Sequence, residues 1–180
     1  MKGFFRSAKN INNSHLSNLN SKSVIHMSFM FSYCFLENIN FKLLFTKNVI
    51  DMSYMFEYST FKNTDFSGFY TNNVEKMEGM YQECNFLSDI DLSFSNTSKV
   101  VTMDKMFFKC KAINIDISSF DTQSLISMKE IFKDCINLNL IGLPSFPSVR
   151  NVNMEDMFKS CSSLKKIKLK KSYNENHTTI

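Results

Sequence analysis

An eight-residue form, Met-x-x-Met-Phe-x-x-Cys, returns along the chain at a fixed interval. Its copies are MSFMFSYC (27–34), MSYMFEYS (52–59), MEGMYQEC (77–84), MDKMFFKC (103–110), MKEIFKDC (128–135) and MEDMFKSC (154–161). Successive starts lie 25, 25, 26, 25 and 26 residues apart, and MKGFFRSA, with Met1 26 residues before Met27, is a degenerate first copy. All 12 methionines occupy the first or fourth position of the form. Such a period is the signature of stacked repeats, because one unit of this size cannot bury its own apolar face and a neighbour must cover it.

The register extends between the motifs. Counting back from each first Met, position −11 is apolar in every copy (Leu16, Phe41, Phe66, Leu92, Ile117, Leu143), and position −6 is always a hydroxyl residue (Ser21, Thr46, Thr71, Thr97, Thr122, Ser148). Position −3 is Val24, Val49, Val74, Val100, Leu125 and Asn151. Segments such as SDIDLS (88–93) alternate apolar with polar and predict a short half-buried strand. The motif itself places apolar residues at i, i+3, i+4 and i+7, which predicts about two turns of helix with one buried stripe. The Val-x-x-Met step fits either that helix or a second short extended segment. The recurring hydroxyl fits either a helix cap or the closing of a turn.

The fold expected is an α/β repeat, a right-handed leucine-rich-repeat-like solenoid with one short parallel strand and one short helix per coil. About seven coils start near residues 1, 27, 52, 77, 103, 128 and 154, giving one solenoid over 1–171 and a flexible tail over 172–180. At about 4.8 Å per coil the stack is roughly 30 Å long. Its core is expected to hold Met52, Met55, Phe56, Met77, Met80, Met103, Met106, Phe107, Cys110, Phe132, Cys135, Met154, Met157, Phe158 and Cys161.

Several function classes are disfavoured. The net charge of +4 owes much to one run, LKKIKLKK (164–171), rather than to a basic face interleaved with aromatics, so no nucleic-acid partner is expected. No apolar stretch approaches the length of a membrane span, so no membrane insertion is expected. The opening MKGFFRSAKNINN has neither the apolar run of an export signal nor a lipid-attachment cysteine. The five cysteines share one position of the repeat, which Ser59 fills in one copy. They lack the close pairs of a zinc site, and same-position residues on successive coils do not converge as disulfides require, so buried free thiols are expected. His15, His26 and His177 join no nucleophile or acid arrangement, and no phosphate loop occurs. The expectation is a protein without catalytic residues, cofactors or metal.

The run VVTMDKMFFKCKAINIDISSFDTQSL (100–125) carries Val-x-x-Met-x-x-Met-Phe-x-x-Cys followed by an Ile-rich strand and Phe-Asp-Thr. It resembles the BspA-like leucine-rich repeat surface proteins, in the 25–26 residue variant also found in mycoplasma-type lipoproteins, and the resemblance covers about residues 11–169. It implies surface display with adhesion or protein recognition, and no catalytic residues to carry over.

Function is then expected on positions the apolar register leaves free. Outward strand positions hold His15, Asn40, Asp65, Asp91, Asp116, Gly142 and Lys168, so carboxylates stack on adjacent coils, and Asn40, Asp65, Asp91, Asp116 and Lys168 are the candidate binding residues. Stacked like charges suggest a cation or basic partner, and the plainer reading is a solvated sheet face. On the motif side, Asp104, Lys105 and Lys109 are free. The terminal lysines alternate with Leu164, Ile167 and Leu169 as a last strand, a pattern that keeps an exposed edge soluble. The function expected is protein recognition or adhesion with a protein partner. The competing expectation is a truncated remnant of a larger surface protein, whose uncapped coil ends would self-associate.

Overall fold

A computed structural model describes residues 1–86, 91–93, 96–147 and 151–170. The chain forms a parallel β-solenoid with little helix. A short helix α1 (Asn13–Ser17) precedes strands β1 (Phe35–Glu37), β2 (Thr60–Lys62), β3 (Asn85–Phe86), β4 (Asn114–Asp116), β5 (Leu140–Leu143) and β6 (Lys166–Leu169), and a 3-10 turn covers Phe41–Leu43. The strands form two parallel sheets, β1-β2-β3 and β4-β5-β6. A second parallel ladder runs through single residues, His26, Asp51, Lys76, Thr102, Ser127 and Asn153, each pairing with the next. Its six rungs enclose five complete turns of solenoid, fewer than seven coils, because the first motif copy and β6 each belong to incomplete turns. The tail over 172–180 lies outside the described residues.

The predicted motif helix is not there. Phe29 and Tyr33, Tyr54 and Tyr58, Gly79 and Glu83, Lys105 and Lys109, Glu130 and Asp134, and Asp156 and Ser160 all have positive φ, so the third and seventh motif positions interrupt any right-handed helix. Each motif is instead a chain of tight turns. In the copy starting at Met103, the Met106, Phe108 and Cys110 amides donate three residues back, to the Met103, Lys105 and Phe107 carbonyls (3.1, 3.0 and 2.9 Å). The alternate amides, Met103, Lys105, Phe107 and Lys109, donate to Ser127, Lys129, Ile131 and Lys133 of the next coil (all 2.9 Å). Every buried amide needs a partner, and a stacked neighbour supplies one that a lone helix would have to find within itself. The i, i+3, i+4, i+7 stripe thus identified the inward side chains while pointing to the wrong backbone. Left-handed φ costs a non-glycine residue roughly 1–3 kcal/mol, and it persists here because the bonds to neighbouring coils determine it on both sides.

The Val-x-x-Met step is the second extended segment, since the residue before each first Met forms the single-residue ladder. The hydroxyl residue before it opens a tight turn closed by its backbone carbonyl, with the Val24, Val49, Val74, Val100 and Leu125 amides donating to the Ser21, Thr46, Thr71, Thr97 and Thr122 carbonyls. These hydroxyl residues are buried and also tie coils together. Thr97 Oγ1 accepts from the Asp121 amide (2.7 Å) and donates to the Asp121 carbonyl (2.9 Å).

The fifth motif position builds the axis of the core. Phe5, Phe31, Phe56, Tyr81, Phe107, Phe132 and Phe158 stack face to face, their centroids 5.4, 5.7, 5.5, 5.5, 5.6 and 5.8 Å apart. Met52, Met55, Met77, Met80, Met103, Met106, Cys110, Cys135 and Met157 are buried around that column. Met154, Phe158 and Cys161, expected in the core, are only partly covered, with Met154 37% exposed. They belong to the last coil, and among the described residues no further coil lies over them.

The cysteines are free, as spacing predicts, and the structure gives them a further role. Four of the five thiols reach back one coil: Cys34 donates to the Phe5 carbonyl (3.1 Å), Cys84 to Phe56 (2.9 Å), Cys135 to Phe107 (2.9 Å) and Cys161 to Phe132 (3.0 Å). Ser59 fills the same column because its hydroxyl does the same, donating to the Phe31 carbonyl (2.6 Å). Burial pushes Cys34 up to about 11 and Cys110 up to about 12, so these thiols stay protonated. Iodoacetamide near pH 8 is expected to modify half-buried Cys161 first and to spare the other thiols until the chain unfolds; mass spectrometry of the native chain checks this. Raised native pKa values also mean stability that is intact below the ordinary thiol value of 9.0 and lost as pH rises above it, because only the unfolded chain ionises freely.

Candidate functional site

The outward strand positions stack as expected where they are described. Asn40 pairs with Asp65, and Asp116 with Gly142 and then Lys168. Asp65, Asp91, Asp116 and Lys168 are exposed and Asn40 is half-buried. Each carboxylate is nonetheless engaged locally. Asp65 accepts from the Ser67 amide (2.7 Å), Asp91 from Ser93 (2.8 Å) and Asp116 from Ser118 (2.9 Å), and Asn40 accepts likewise from the Lys42 amide (2.9 Å). These side chains close the corner after the strand. Hydrogen bonds from the serine hydroxyls and then the serine amides hold all three carboxyls below the usual range. Gly142 also makes room for Asp116: a Cβ there would require the Asp116 carboxylate to shift. Among the described residues no group of three or more His, Cys, Asp or Glu is placed to hold a metal ion. The structure therefore brings the candidates into one column, but as corner-forming groups already supplied with partners.

The opposite side of each coil, the outer face of the turns, divides into two halves. Side chains at the left-handed third and seventh positions project outward and meet their counterparts on the next coil. Toward the C-terminus the third positions carry charge, Lys105 pairing with Glu130 of the next coil (3.7 Å), and sixth-position lysines join them within a coil, Lys133–Glu130 and Lys159–Asp156 (both 3.0 Å), and between coils, Lys133–Asp156 (3.5 Å), while the second positions give Lys129–Glu155 (2.8 Å). The lysine partners hold Glu130 and Asp156 below the usual carboxylate range. Asp104 is likewise committed, accepting from the Ser127 hydroxyl (2.5 Å) and the Lys129 amide (2.8 Å).

Toward the N-terminus the same positions are aromatic. Phe29 stacks on Tyr54 (5.0 Å) and Tyr33 on Tyr58 (4.7 Å). The Arg6 guanidinium lies over both Phe29 (5.6 Å) and Tyr33 (5.5 Å), and the Lys2 ammonium over Phe29 (5.7 Å). At the other end the phenols are fastened to carboxylates, Tyr54 donating to Glu78 (2.7 Å) and Tyr58 to Glu83 (2.8 Å), which pushes Tyr58 up to about 12. Gly79 ends the aromatic run: its φ is +55°, and a Cβ there would lie 2.3 Å from the Tyr54 ring. Tyr33 is 47% exposed and also borders an open cleft of about 760 Å³, lined further by Ala8, Ile11, Phe35 and Glu37.

The model of a family described as Mycoplasma protein of unknown function, DUF285, matches residues 1–94 and again residues 85–179. The chain belongs to the DUF285 family. The double match supports a mycoplasma-type repeat protein and fits the periodicity of the motif. No curated protein and no solved structure matches the chain. In this DUF285 chain, sequence reasoning weighted the strand face and passed over the aromatics of the turn face, although Phe29 with Tyr33 and Tyr54 with Tyr58, each four residues apart, would share one outer face even on a motif helix. Gly79, a glycine in the middle of a supposed helix, was the available signal that the backbone there needs positive φ.

Proposed function

We propose that the chain is a non-catalytic recognition module that binds a protein partner, in adhesion or a related contact, through the outer turn face of its N-terminal coils. The supporting observation is the paired aromatic column Phe29–Tyr54 and Tyr33–Tyr58, fixed in register, overlain by Arg6 and opening onto the cleft at Tyr33. Tyrosine and arginine concentrate binding energy at protein interfaces because they bury large area with few rotamers to freeze. The ion-paired half of the same face has satisfied its charges and offers less. The BspA-like assignment belongs to this reading too, since it explains why a solenoid would be varied on one face and held constant within.

The test compares partners recovered by the intact chain, by Tyr33→Ser with Tyr58→Ser, and by a variant carrying Asn at Asp65, Asp91 and Asp116. Asparagine keeps the corner hydrogen bonds and removes only charge. The tyrosine variant is expected to lose its partners at an unchanged melting temperature while the asparagine variant keeps them. The reverse pattern would return the contact surface to the strand face.

A further inference from the structure

We propose that the downstream edge of β6 is a docking site for an acidic extended polypeptide of a partner protein, which adds to the sheet as a parallel strand. The edge is shaped for a strand. The β5–β6 pairing keeps the register of β4–β5 without slip, with Ile115, Ile141 and Ile167 in line. Yet Ile167 is 45% and Leu169 69% exposed, where Ile141 and Leu143 in the coil before are buried. On the same coil Met154 is exposed, and Phe158, Cys161 and Leu164 are only partly covered. Lys166 and Lys170 donate their amides to Asn139 and Leu143 on the β5 side (3.2 and 3.1 Å). Strand alternation turns the Ile167 and Leu169 amides to the other edge, where no described residue meets them.

Charge selects the occupant. Lys165, Lys166, Lys168 and Lys170 are all exposed, and residues 157–170 contain no Asp or Glu. A second copy stacking its first coil on this end would present residues 1–36, which carry Lys2, Arg6, Lys9 and Lys22 and no acid to pair with these lysines. The like charges disfavour the self-association that bare apolar coil ends suggest. A strand alternating carboxylate with aliphatic residues meets both features: its aliphatics cover Ile167 and Leu169, and its acids face the lysine row. Backbone bonds would supply affinity and the lysines selectivity, the ordinary division in strand addition.

The experiment titrates a short peptide alternating Val and Glu, its Lys-for-Glu counterpart, and a version N-methylated at alternate residues against the full isotope-labelled chain. The Glu peptide is expected to shift amides of residues 165–170 and to bind about tenfold more tightly than the Lys peptide, the worth of a few exposed charge pairs. N-methylation is expected to abolish binding. Lys166→Glu with Lys168→Glu, both at exposed positions, is expected to invert the preference toward the Lys peptide. Absence of binding, indifference to N-methylation, or shifts away from β6 overturns the proposal. So does concentration-dependent dimerisation through β6, which assigns the edge to a second copy, or capture of the chain by anionic vesicles without peptide binding, which assigns it to a membrane surface.

Discussion

Replacing Phe56 with alanine is expected to destabilise the chain by about 3–5 kcal/mol, measured by urea unfolding. Phe56 is fully buried and sits in the continuous ring column between Phe31 and Tyr81. It also meets Phe41 (5.3 Å), Phe61 (5.4 Å) and Phe66 (5.7 Å) edge-on. Removing it leaves a cavity walled by rings that are themselves held by coil-to-coil bonds, so little collapse can fill it. A solenoid is stabilised largely through nearest-neighbour interfaces, and Phe56 belongs to two of them. The transition is therefore expected to lose cooperativity, with coils on either side of the break melting apart. A single unchanged transition shifted by less than 1 kcal/mol would mean the column adds little beyond area burial.

The second large effect is expected at Thr97. Valine has nearly the shape of threonine, so Thr97→Val leaves packing intact and deletes one hydroxyl. That hydroxyl is both acceptor and donor to a single residue of the next coil, Asp121. A partly buried amide and carbonyl lose their partner together, and a loss of about 1–3 kcal/mol is expected. Thr97→Ser, which restores both bonds, should recover most of it. Equal melting of the valine and serine variants would show that water replaces the hydroxyl.

Position in the repeat was the legible part of this fold. Counting back from the first Met placed Leu16, Phe41, Phe66, Leu92, Ile117 and Leu143 on the inward side, and put in the core every motif methionine that is buried there, all but Met1 and Met154, without any knowledge of the backbone. Backbone type was less legible. The motif stripe has the spacing of a helix, but a run of turns with left-handed third and seventh residues also turns positions one, four, five and eight inward. Lys105, Glu130 and Asp156 occupy those left-handed sites with no local preference that announces them. What fixes them is a partner coil some 25 residues away. The same distance hid the roles of the candidate residues. Asp65 and Asp116 looked like a free acidic face because the serine two residues on, which engages each of them, forms a corner only once the strand before it is paired.

The turn segments also leave an electrical mark. In successive motifs the first, third, fifth and seventh amides, as at Met52, Tyr54, Phe56 and Tyr58, all point toward the following coil. On that side of the stack the peptide dipoles are aligned along the solenoid axis, as they are along a helix, although no helix runs there. The partial positive pole falls at the last motif, beside Lys159 and the coil that ends in β6. An acidic partner approaching that end would meet a field set by the backbone as well as by side chains, and lysine substitutions alone would not erase it.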